Sequence, residues 1–206
     1  MYKPVIIGYS GHGFVVLDAA EKAGLNVQAY TEKEEQTYNP FNLKYFGFEG
    51  DENFDGWNKD HEFILGIGDN RIREKVTELV ASKKGKLISV IHPSAKISSY
   101  TKIGNGTFVA AGAMINPLVK IGKSVIINTG AIIEHECQIG NSAHIAPGAV
   151  LAGNVKVGIR SFIGANAVIK EGVIIGDDVI IGAGTVVLKD VANNKKLVGN
   201  PAREIN

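Results

Sequence analysis

The chain has 206 residues, of which 45% are apolar, and its 22 Lys and Arg nearly balance its 21 Asp and Glu. This balance argues against the basic surfaces that bind nucleic acid or anionic membranes, so we expect neither partner. One cysteine, Cys137, excludes an internal disulfide and fits a reducing compartment. No apolar run approaches the roughly 18 residues that span a bilayer, and Met1 to Pro4 leads into a short strand instead of a signal-peptide core. We therefore expect a soluble cytoplasmic protein.

In chain order, residues 1–90 predict a Rossmann-like α/β unit with a small parallel sheet, because short apolar strands alternate with helical stretches. The stretch from Glu32 to Lys59 is polar and aromatic, and we interpret it as mostly loop with one short strand. The predicted elements are strands at Pro4–Gly8, Val27–Tyr30, Phe63–Ile67 and Leu87–Ile91, a helix at Phe14–Ala23, and a second helix from an N-cap at Asn70 to about Ser82.

Two polar turns follow strands of this unit. Gly8-x-x-Gly11-x-Gly13 places backbone N–H groups at a helix N-terminus, where anions bind readily, although its spacing differs from the dinucleotide fingerprint. Gly68-Asp-Asn70 follows the third predicted strand, at the same edge of the sheet. Ligands of open α/β sheets collect at this edge, so the turns predict a cleft for a nucleotide diphosphate. The alternative is a tight turn that only serves packing.

Residues 91–206 carry a six-residue repeat. Every sixth residue from Ile91 to Val187 is aliphatic, and every residue four positions later, from Ala95 to Val191, is small or β-branched. Such units bury nothing alone, so stacked turns must supply the core. Glycine often follows the aliphatic residue, as at Gly104, and we expect it to permit the backbone of a sharp corner. Cys137 falls in the small-residue column, which predicts a buried core position.

The segment Ile133-Glu-His-Glu-Cys137 lies in the middle of the repeat. Its histidine, His135, is a candidate general base, because imidazole titrates near neutral pH. A carboxylate from Glu134 or Glu136 would stabilise the imidazolium; the alternative is a solvated surface histidine. His144 follows nine residues later. The family resemblance given below implies turns of three hexads, or 18 residues, which would put the two histidines on different parts of one β-helix and let them meet only between neighbouring β-helices. This predicts an oligomer.

These features resemble the left-handed β-helix of the hexapeptide acyltransferases. More narrowly, the chain resembles the bacterial nucleotide-amino-sugar N-acetyltransferases, which are grouped with the sialic acid O-acetyltransferase family. The matching motifs are Gly8-x-Ser-Gly-His-Gly13, Gly68-Asp-Asn-x-x-Arg73, Ile91-His-Pro-Ser-Ala95, Ile133-Glu-His-Glu-Cys137, His144, Ala152-Gly-Asn-Val155 and Val198-Gly-Asn-Pro-Ala202.

The resemblance implies an α/β nucleotide-sugar-binding domain at 1–90 and a left-handed β-helix acetyltransferase domain at 91–206. It also implies acetyl-CoA as co-substrate, no metal, and a homotrimer with active sites between subunits. His135 would be the general base and Glu136 the acid that tunes it. The implied acetyl-CoA contacts are His144, Ala165, Ala183, Gly153 and Arg203, whose guanidinium suits a CoA phosphate. The implied sugar-nucleotide contacts are Ser10, Gly11, His12, Thr31, Glu32, Asp69 and Asn70.

The leading hypothesis is N-acetylation of a UDP-linked 4-amino-dideoxy sugar by direct attack on acetyl-CoA. One departure concerns the nucleotide, because Tyr30-Thr31-Glu32 stands where the family often has an Asp-Asp pair. The alternatives are O-acetylation of a sialic acid or similar sugar, and a non-catalytic β-helix scaffold. A β-helix carbonic anhydrase would need three histidines on zinc, whereas the middle of the repeat offers only the pair His135 and His144.

Overall fold

The computed structural model describes residues 4–58 and 61–205. Outside the described residues lie Met1 to Lys3, at the start of the chain, and Lys59, the last residue of the predicted loop. Neither helix of the described part combines the length and the apolarity needed to cross a membrane.

The N-terminal unit is a five-stranded parallel sheet with two helices. Its strands lie in the order β3-β2-β1-β4-β5, so the turns after β1 and β4 meet at one sheet edge, as predicted. The short strand expected within the long loop is β3, which pairs with β2. The elements are β1 Val5–Ile7, α1 Gly11–Lys22, β2 Ala29–Thr31, β3 Lys44–Tyr45, a 3-10 helix Asp55–Asn58, β4 Glu62–Leu65, α2 Asn70–Ser82 and β5 Lys86–Leu87.

Two local predictions for this unit are wrong. The N-cap of α2 is Asp69, because its carboxylate accepts hydrogen bonds from the main-chain N–H groups of Arg71 (2.9 Å) and Ile72 (2.8 Å). Asn70 is the first residue of the helix. The predicted strand Leu87–Ile91 is divided, since Lys86–Leu87 pairs with β4 whereas Val90–Ile91 already pairs within the β-helix.

The repeat forms a parallel β-helix in which each two-residue strand from β6 to β19 pairs with the strand 18 residues further on, for example Ile115 with Ile133. Three strands therefore make one turn, as expected for three hexads. The strands are β6 Val90–Ile91, β7 Lys96–Ile97, β8 Lys102–Ile103, β9 Phe108–Val109, β10 Met114–Ile115, β11 Lys120–Ile121, β12 Ile126–Ile127, β13 Ile132–Ile133, β14 Gln138–Ile139, β15 His144–Ile145, β16 Val150–Leu151, β17 Lys156–Val157, β18 Phe162–Ile163, β19 Val168–Ile169, β20 Ile174–Ile175, β21 Ile180–Ile181, β22 Val186–Val187, β23 Lys196–Val198 and the antiparallel β24 Arg203–Ile205.

The two repeat columns fill the prism. From Val109 to Val187 every aliphatic member is buried, and a fully buried aliphatic side chain contributes about 1.5–3 kcal/mol. Ile91, Ile97 and Ile103 are more exposed because they form the first turn, which has no turn beneath it. Cys137 is buried as predicted, and burial raises the pKa of its thiol to about 11.

The corners of the prism differ from the prediction. Every sixth residue from Gly106 to Gly184 has a positive φ, and this column includes Glu136 at +62°. The glycines that follow the aliphatic residues are not at this position and have no positive φ. They are needed because successive turns approach closely: a Cβ on Gly104 would lie 2.5 Å from the carbonyl oxygen of Gly122.

The three faces of the prism differ in chemistry. The covered face packs against α1 and the N-terminal unit in one shared cluster that includes Val16, Tyr9 and Phe108. The apolar face is not covered by the chain, and the charged face is mainly polar. Outward residues are Val90, Phe108, Ile126, His144, Phe162 and Ile180 on the covered face; Lys96, Met114, Ile132, Val150, Val168 and Val186 on the apolar face; and Lys102, Lys120, Gln138, Lys156 and Ile174 on the charged face.

Candidate active site

His135 lies on the corner between β13 and β14, where the apolar face meets the charged face. The repeat forces this corner to turn sharply, and Glu136 adopts the left-handed backbone conformation that the turn requires. The carboxylate of Glu136 lies 3.1 Å from Nδ1 of His135, and 53% of the His135 side chain is exposed. The corner therefore presents an oriented imidazole to solvent.

The contact with Glu136 defines which imidazole nitrogen is available. A hydrogen on Nδ1 can be donated to the carboxylate, which leaves Nε2 as the acceptor that a general base requires. Glu134, the other acid that the sequence offered, instead accepts a hydrogen bond from the Asn116 side chain at 2.8 Å. Glu136 is thus the acid placed to act on His135.

Gly153 lies directly beside this imidazole, one turn further along the prism. A Cβ on Gly153 would come within 2.6 Å of both Cε1 and Nε2 of His135, so only glycine leaves room for the ring in this position. Gly153 is itself buried. The structure thus places this predicted acetyl-CoA contact beneath the candidate base.

His144 is separated from His135 and lies on the covered face. Only 9% of it is exposed, and its Nε2 lies 3.1 Å from Nδ2 of Asn128. Its Nδ1 is buried without a hydrogen bond of normal geometry. Burial, and then the positive charge of Arg73, lower the pKa of His144 to about 3, so the ring is neutral at physiological pH.

The glycine-rich turn after β1 brings a second imidazole to His144. His12 is in the first turn of α1, and its ring centroid lies 6.3 Å from that of His144. Burial, followed by Arg73, lowers the pKa of His12 to about 4. Ser10 is the N-cap residue of α1, yet its side chain makes no capping hydrogen bond, and Gly11 is exposed. The turn therefore offers main-chain N–H groups and a free hydroxyl beside two neutral imidazoles.

The residues that end β2 have mainly structural contacts. Thr31 is buried, and its hydroxyl donates a hydrogen bond to Glu49 at 2.7 Å. Glu32 accepts a hydrogen bond from the main-chain N–H of Tyr9 at 2.8 Å, which leaves its second oxygen unused by that bond. The predicted ligand contact of Thr31 thus lies inside the protein, whereas Glu32 reaches the glycine-rich turn.

The turn after β4 is also engaged by the protein. Asp69 caps α2, while the Asn70 side chain donates to the carbonyl of Arg160 at 2.8 Å and accepts from Arg73 at 2.8 Å. Asn70 therefore joins the N-terminal unit to the β-helix, whereas the Asp69 carboxylate is used within α2. A cleft of about 320 Å³ opens beside them, and Gly68, Asp69, Arg71 and Phe162 are among its lining residues.

The remaining predicted acetyl-CoA residues lie toward the C-terminal end of the prism. Ala165 is half-buried and Ala183 is exposed, and they occupy adjacent turns, because the N–H of Gly184 donates to the carbonyl of Ala165 at 2.8 Å. Arg203 is exposed in β24, which pairs with β23. A cleft of about 360 Å³ lies nearby and is lined in part by Val187 and Ala202.

Sequence reasoning missed two polar residues of this region. Asn128 follows an aliphatic member of the repeat, where glycine is frequent, and its departure from glycine was the available signal. Arg73 belongs to the motif Gly68-Asp-Asn-x-x-Arg73, but the motif alone does not indicate what its side chain contacts. No group of three or more His, Cys, Asp or Glu side chains placed to hold a metal occurs in residues 4–58 and 61–205.

Comparison with known proteins gives matches along the chain. The family model described as the PglD N-terminal domain matches residues 3–80, and the bacterial transferase hexapeptide (six repeats) model matches 118–153 and 154–189. A variant of perosamine N-acetyltransferase from Caulobacter crescentus, solved with CoA and GDP-perosamine, is 34% identical over 100% of this chain and 98% of that chain, with a TM-score of 0.93.

The acetyltransferase domain of PglB from Neisseria gonorrhoeae, solved with acetyl coenzyme A, is 32% identical over 98% of each chain, with a TM-score of 0.92. UDP-N-acetylbacillosamine N-acetyltransferase of Bacillus subtilis is 37% identical over 49 residues, which is 24% of this chain and 23% of that protein. The matched part therefore spans under a quarter of the curated relative. The full-length structural matches confirm the predicted α/β unit followed by a left-handed β-helix.

Proposed function

We propose that this chain, which belongs to the family of nucleotide-amino-sugar N-acetyltransferases with hexapeptide repeats, transfers the acetyl group of acetyl-CoA to the amine of a nucleotide-linked 4-amino-dideoxy sugar. The observation that carries the proposal is the exposed His135 imidazole, whose Nδ1 is held by Glu136 and whose Nε2 is free. Nucleotide-sugar capture is assigned to residues 1–90 and acetyl transfer to residues 91–206.

The reaction needs one base and no acyl-enzyme. The sugar amine attacks the thioester carbonyl carbon, a C–N bond forms, and the C–S bond breaks. Nε2 of His135 takes the proton that the nitrogen loses and returns it to the departing sulfur, so that CoA leaves as the thiol. Glu136 accepts a hydrogen bond from the Nδ1–H group. Its negative charge stabilises the imidazolium while His135 carries the extra proton.

The nucleotide sugar is assigned to the sheet edge where the glycine-rich turn and the turn after β4 meet, next to the cleft lined by Asp69 and Phe162. Its diphosphate would accept hydrogen bonds from the main chain at Ser10 and Gly11, at the N-terminus of α1. His144 is assigned to acetyl-CoA because the family resemblance implies that contact. Ala165 and Ala183 are assigned to the path of the pantetheine arm, and Arg203 to the phosphates of CoA.

A homotrimer with sites between subunits is part of the proposal. Within one chain, His135 stands at the edge of the apolar face, whereas His144 and His12 lie where the covered face meets the N-terminal unit. Met114 and Val168 are 46% and 39% exposed, so the apolar face presents large apolar side chains to solvent. Covering this face with a second chain brings the neighbour's residues to the His135 corner.

Thermal shift with acetyl-CoA and a panel of nucleotide sugars tests the proposal, since a ligand that binds only the native state raises Tm. The panel contains UDP-linked and GDP-linked sugars, because the resemblance implies UDP and the Caulobacter protein was solved with a GDP sugar. For each nucleotide, one sugar has an amine and the other a hydroxyl group at C4. Members that raise Tm are then incubated with acetyl-CoA, and acetylation is followed by CoA release. Acetylation of an amino member supports the proposal. Acetylation of hydroxyl members alone would favour an O-acetyltransferase, and no binding of acetyl-CoA would favour a scaffold.

A further inference from the structure

A buried arginine connects the N-terminal unit to the β-helix. Arg73, on α2, is 1% exposed, and it donates hydrogen bonds to main-chain carbonyls and to one amide side chain. Among the residues that the structure describes, it forms no ion pair with a carboxylate. Burial lowers the pKa of Arg73 to about 10, an effect that the charge of Asp69 opposes, so the guanidinium stays positively charged at neutral pH.

One side of Arg73 holds the turn after β4. Its Nη1 donates to the carbonyls of Gly68 at 2.9 Å and Ile67 at 3.2 Å, and its Nη2 donates to Oδ1 of Asn70 at 2.8 Å. This turn borders the cleft assigned to the nucleotide sugar. The guanidinium thus fixes both the main chain of the turn and the first residue of α2.

The other side of Arg73 holds two adjacent turns of the β-helix. Its Nε donates to the carbonyl of Ser124 at 2.7 Å, and its Nη2 donates to the carbonyl of Ser142 at 2.7 Å and more weakly to that of Ala143 at 3.3 Å. Ser124 and Ser142 are 18 residues apart, and Ala143 directly precedes His144. One rigid, planar group therefore sets the distance between the turn after β4 and the strand that carries His144.

Cohesion between the two parts does not require this arrangement. Apolar residues of α1 and of the covered face already share a buried cluster, and Arg160 pairs with Glu74 of α2 at 2.8 Å. What Arg73 adds is geometry, because its planar set of donors is satisfied only when the turn after β4 and the two turns of the β-helix keep their separation.

Arg73 also faces two imidazoles. The titratable groups that act on His144 are Arg73 from α2 and His12 from α1, and Arg73 acts likewise on His12. Its positive charge opposes protonation of both rings. A neutral His144 keeps one ring nitrogen as an acceptor toward Asn128 and the other as a donor.

We propose that Arg73 is a positioning residue for acetyl transfer, which fixes the turn at Ile67 and Gly68 against the strand that carries His144 and keeps positive charge beside His144 and His12. This inference rests on the proposed function for its kinetic consequence. Its structural consequence, the state of the two imidazoles, is independent of any activity.

The test compares Arg73→Met and Arg73→Lys with Thr77→Val as the matched control. Methionine removes both the donors and the charge, whereas lysine removes the forked donors and keeps the charge. Thr77, on the same helix, contacts the hydroxyl of Ser124 at 2.7 Å, so its replacement by valine loosens the same interface without changing the charge. Kinetics per folded enzyme and imidazole NMR titrations are measured for all three.

Both Arg73 variants are expected to raise the KM for the nucleotide sugar at least fivefold, while Thr77→Val stays within twofold of wild type. In Arg73→Met alone, the pKa values of His144 and His12 rise in the NMR titrations. Arg73→Lys keeps the wild-type pKa values of both rings. A merely structural role would lower Tm and leave the KM and the imidazole titrations unchanged, and that result overturns the proposal.

Two further outcomes remain decisive. If Arg73→Met does not fold, Arg73→Lys decides, and a wild-type KM in the lysine variant overturns the proposal. If wild-type enzyme acetylates no nucleotide sugar, the proposed function fails but the NMR titration still tests Arg73. Raised pKa values of His144 and His12 in the methionine variant then support the electrostatic part of the proposal, and unchanged values contradict it.

Discussion

Replacing Gly153 with alanine should separate activity from stability. The added Cβ would lie 2.6 Å from Cε1 and Nε2 of His135, whereas ordinary contacts begin near 3.4 Å. The imidazole must therefore retreat by about 0.8 Å, the difference between those distances. A misplacement of about 1 Å in a catalytic group costs on the order of 100-fold in rate, which corresponds to about 2.7 kcal/mol of barrier.

Stability should hardly change in Gly153→Ala. The conflicting atoms belong to a half-exposed side chain that can rotate away, and Gly153 does not have a left-handed backbone. Alanine also restricts the unfolded chain, which by itself adds about 0.4–1 kcal/mol to stability. We expect kcat with saturating substrates to fall about 30- to 100-fold, with a Tm close to that of wild type.

Gly140→Ala is the matched contrast. Its Cβ would meet main-chain atoms, the nitrogen of Ile159 at 2.7 Å and the carbonyl carbon of Gly158 at 2.8 Å, and these cannot rotate away. Overpacking of this kind costs about 1–3 kcal/mol of stability, while activity per folded molecule should survive. The reasoning is refuted if Gly153→Ala keeps more than half of the wild-type kcat, or if it loses activity only in proportion to unfolding.

Three further outcomes are expected. Glu136→Gln keeps the fold and lowers kcat about 10- to 100-fold in a CoA-release assay, because the amide cannot stabilise the imidazolium; an unchanged rate would contradict its role. The buried, neutral His12 and His144 titrate near 4 and 3 when folded, against 6.5 when unfolded, so the unfolded chain binds more protons as pH falls below 6.5. Stability should thus drop by about 2.7 kcal/mol between pH 7.5 and 5.5 through this pair, and urea unfolding of the His12→Gln, His144→Gln double variant should lack that drop. Met114→Lys with Val168→Lys should yield monomers by sedimentation, whereas a persisting trimer would place the interface elsewhere.

The β-helix could be predicted because the six-residue repeat alone indicates which side chains face the core. Aliphatic side chains at every sixth position can be buried together by stacking the turns, and the column from Val109 to Val187 is buried as expected. The corner chemistry was harder to predict. The left-handed positions are occupied by residues as different as Gly106, Glu136 and Arg160, and the conspicuous glycines serve close approach between turns.

The candidate site was predictable only in part. His135 and Glu136 are adjacent in sequence, so their contact could be anticipated. The contacts of Arg73 could not, because its partners are main-chain carbonyls up to 70 residues away, which leave no side-chain pattern. The burial of Thr31 likewise depends on Glu49, which a distant loop brings to it.

Acetyl transfer by wild type and His135→Ala, followed by mass spectrometry of the sugar product, tests the central claim most directly. The acceptors are a nucleotide-linked 4-amino sugar and its 4-hydroxyl counterpart, each with saturating acetyl-CoA. We predict an N-acetylated product from the amino sugar with wild type, little from the hydroxyl sugar, and a loss of at least about 100-fold in folded His135→Ala. Near-normal turnover of the amino sugar by His135→Ala would contradict the account.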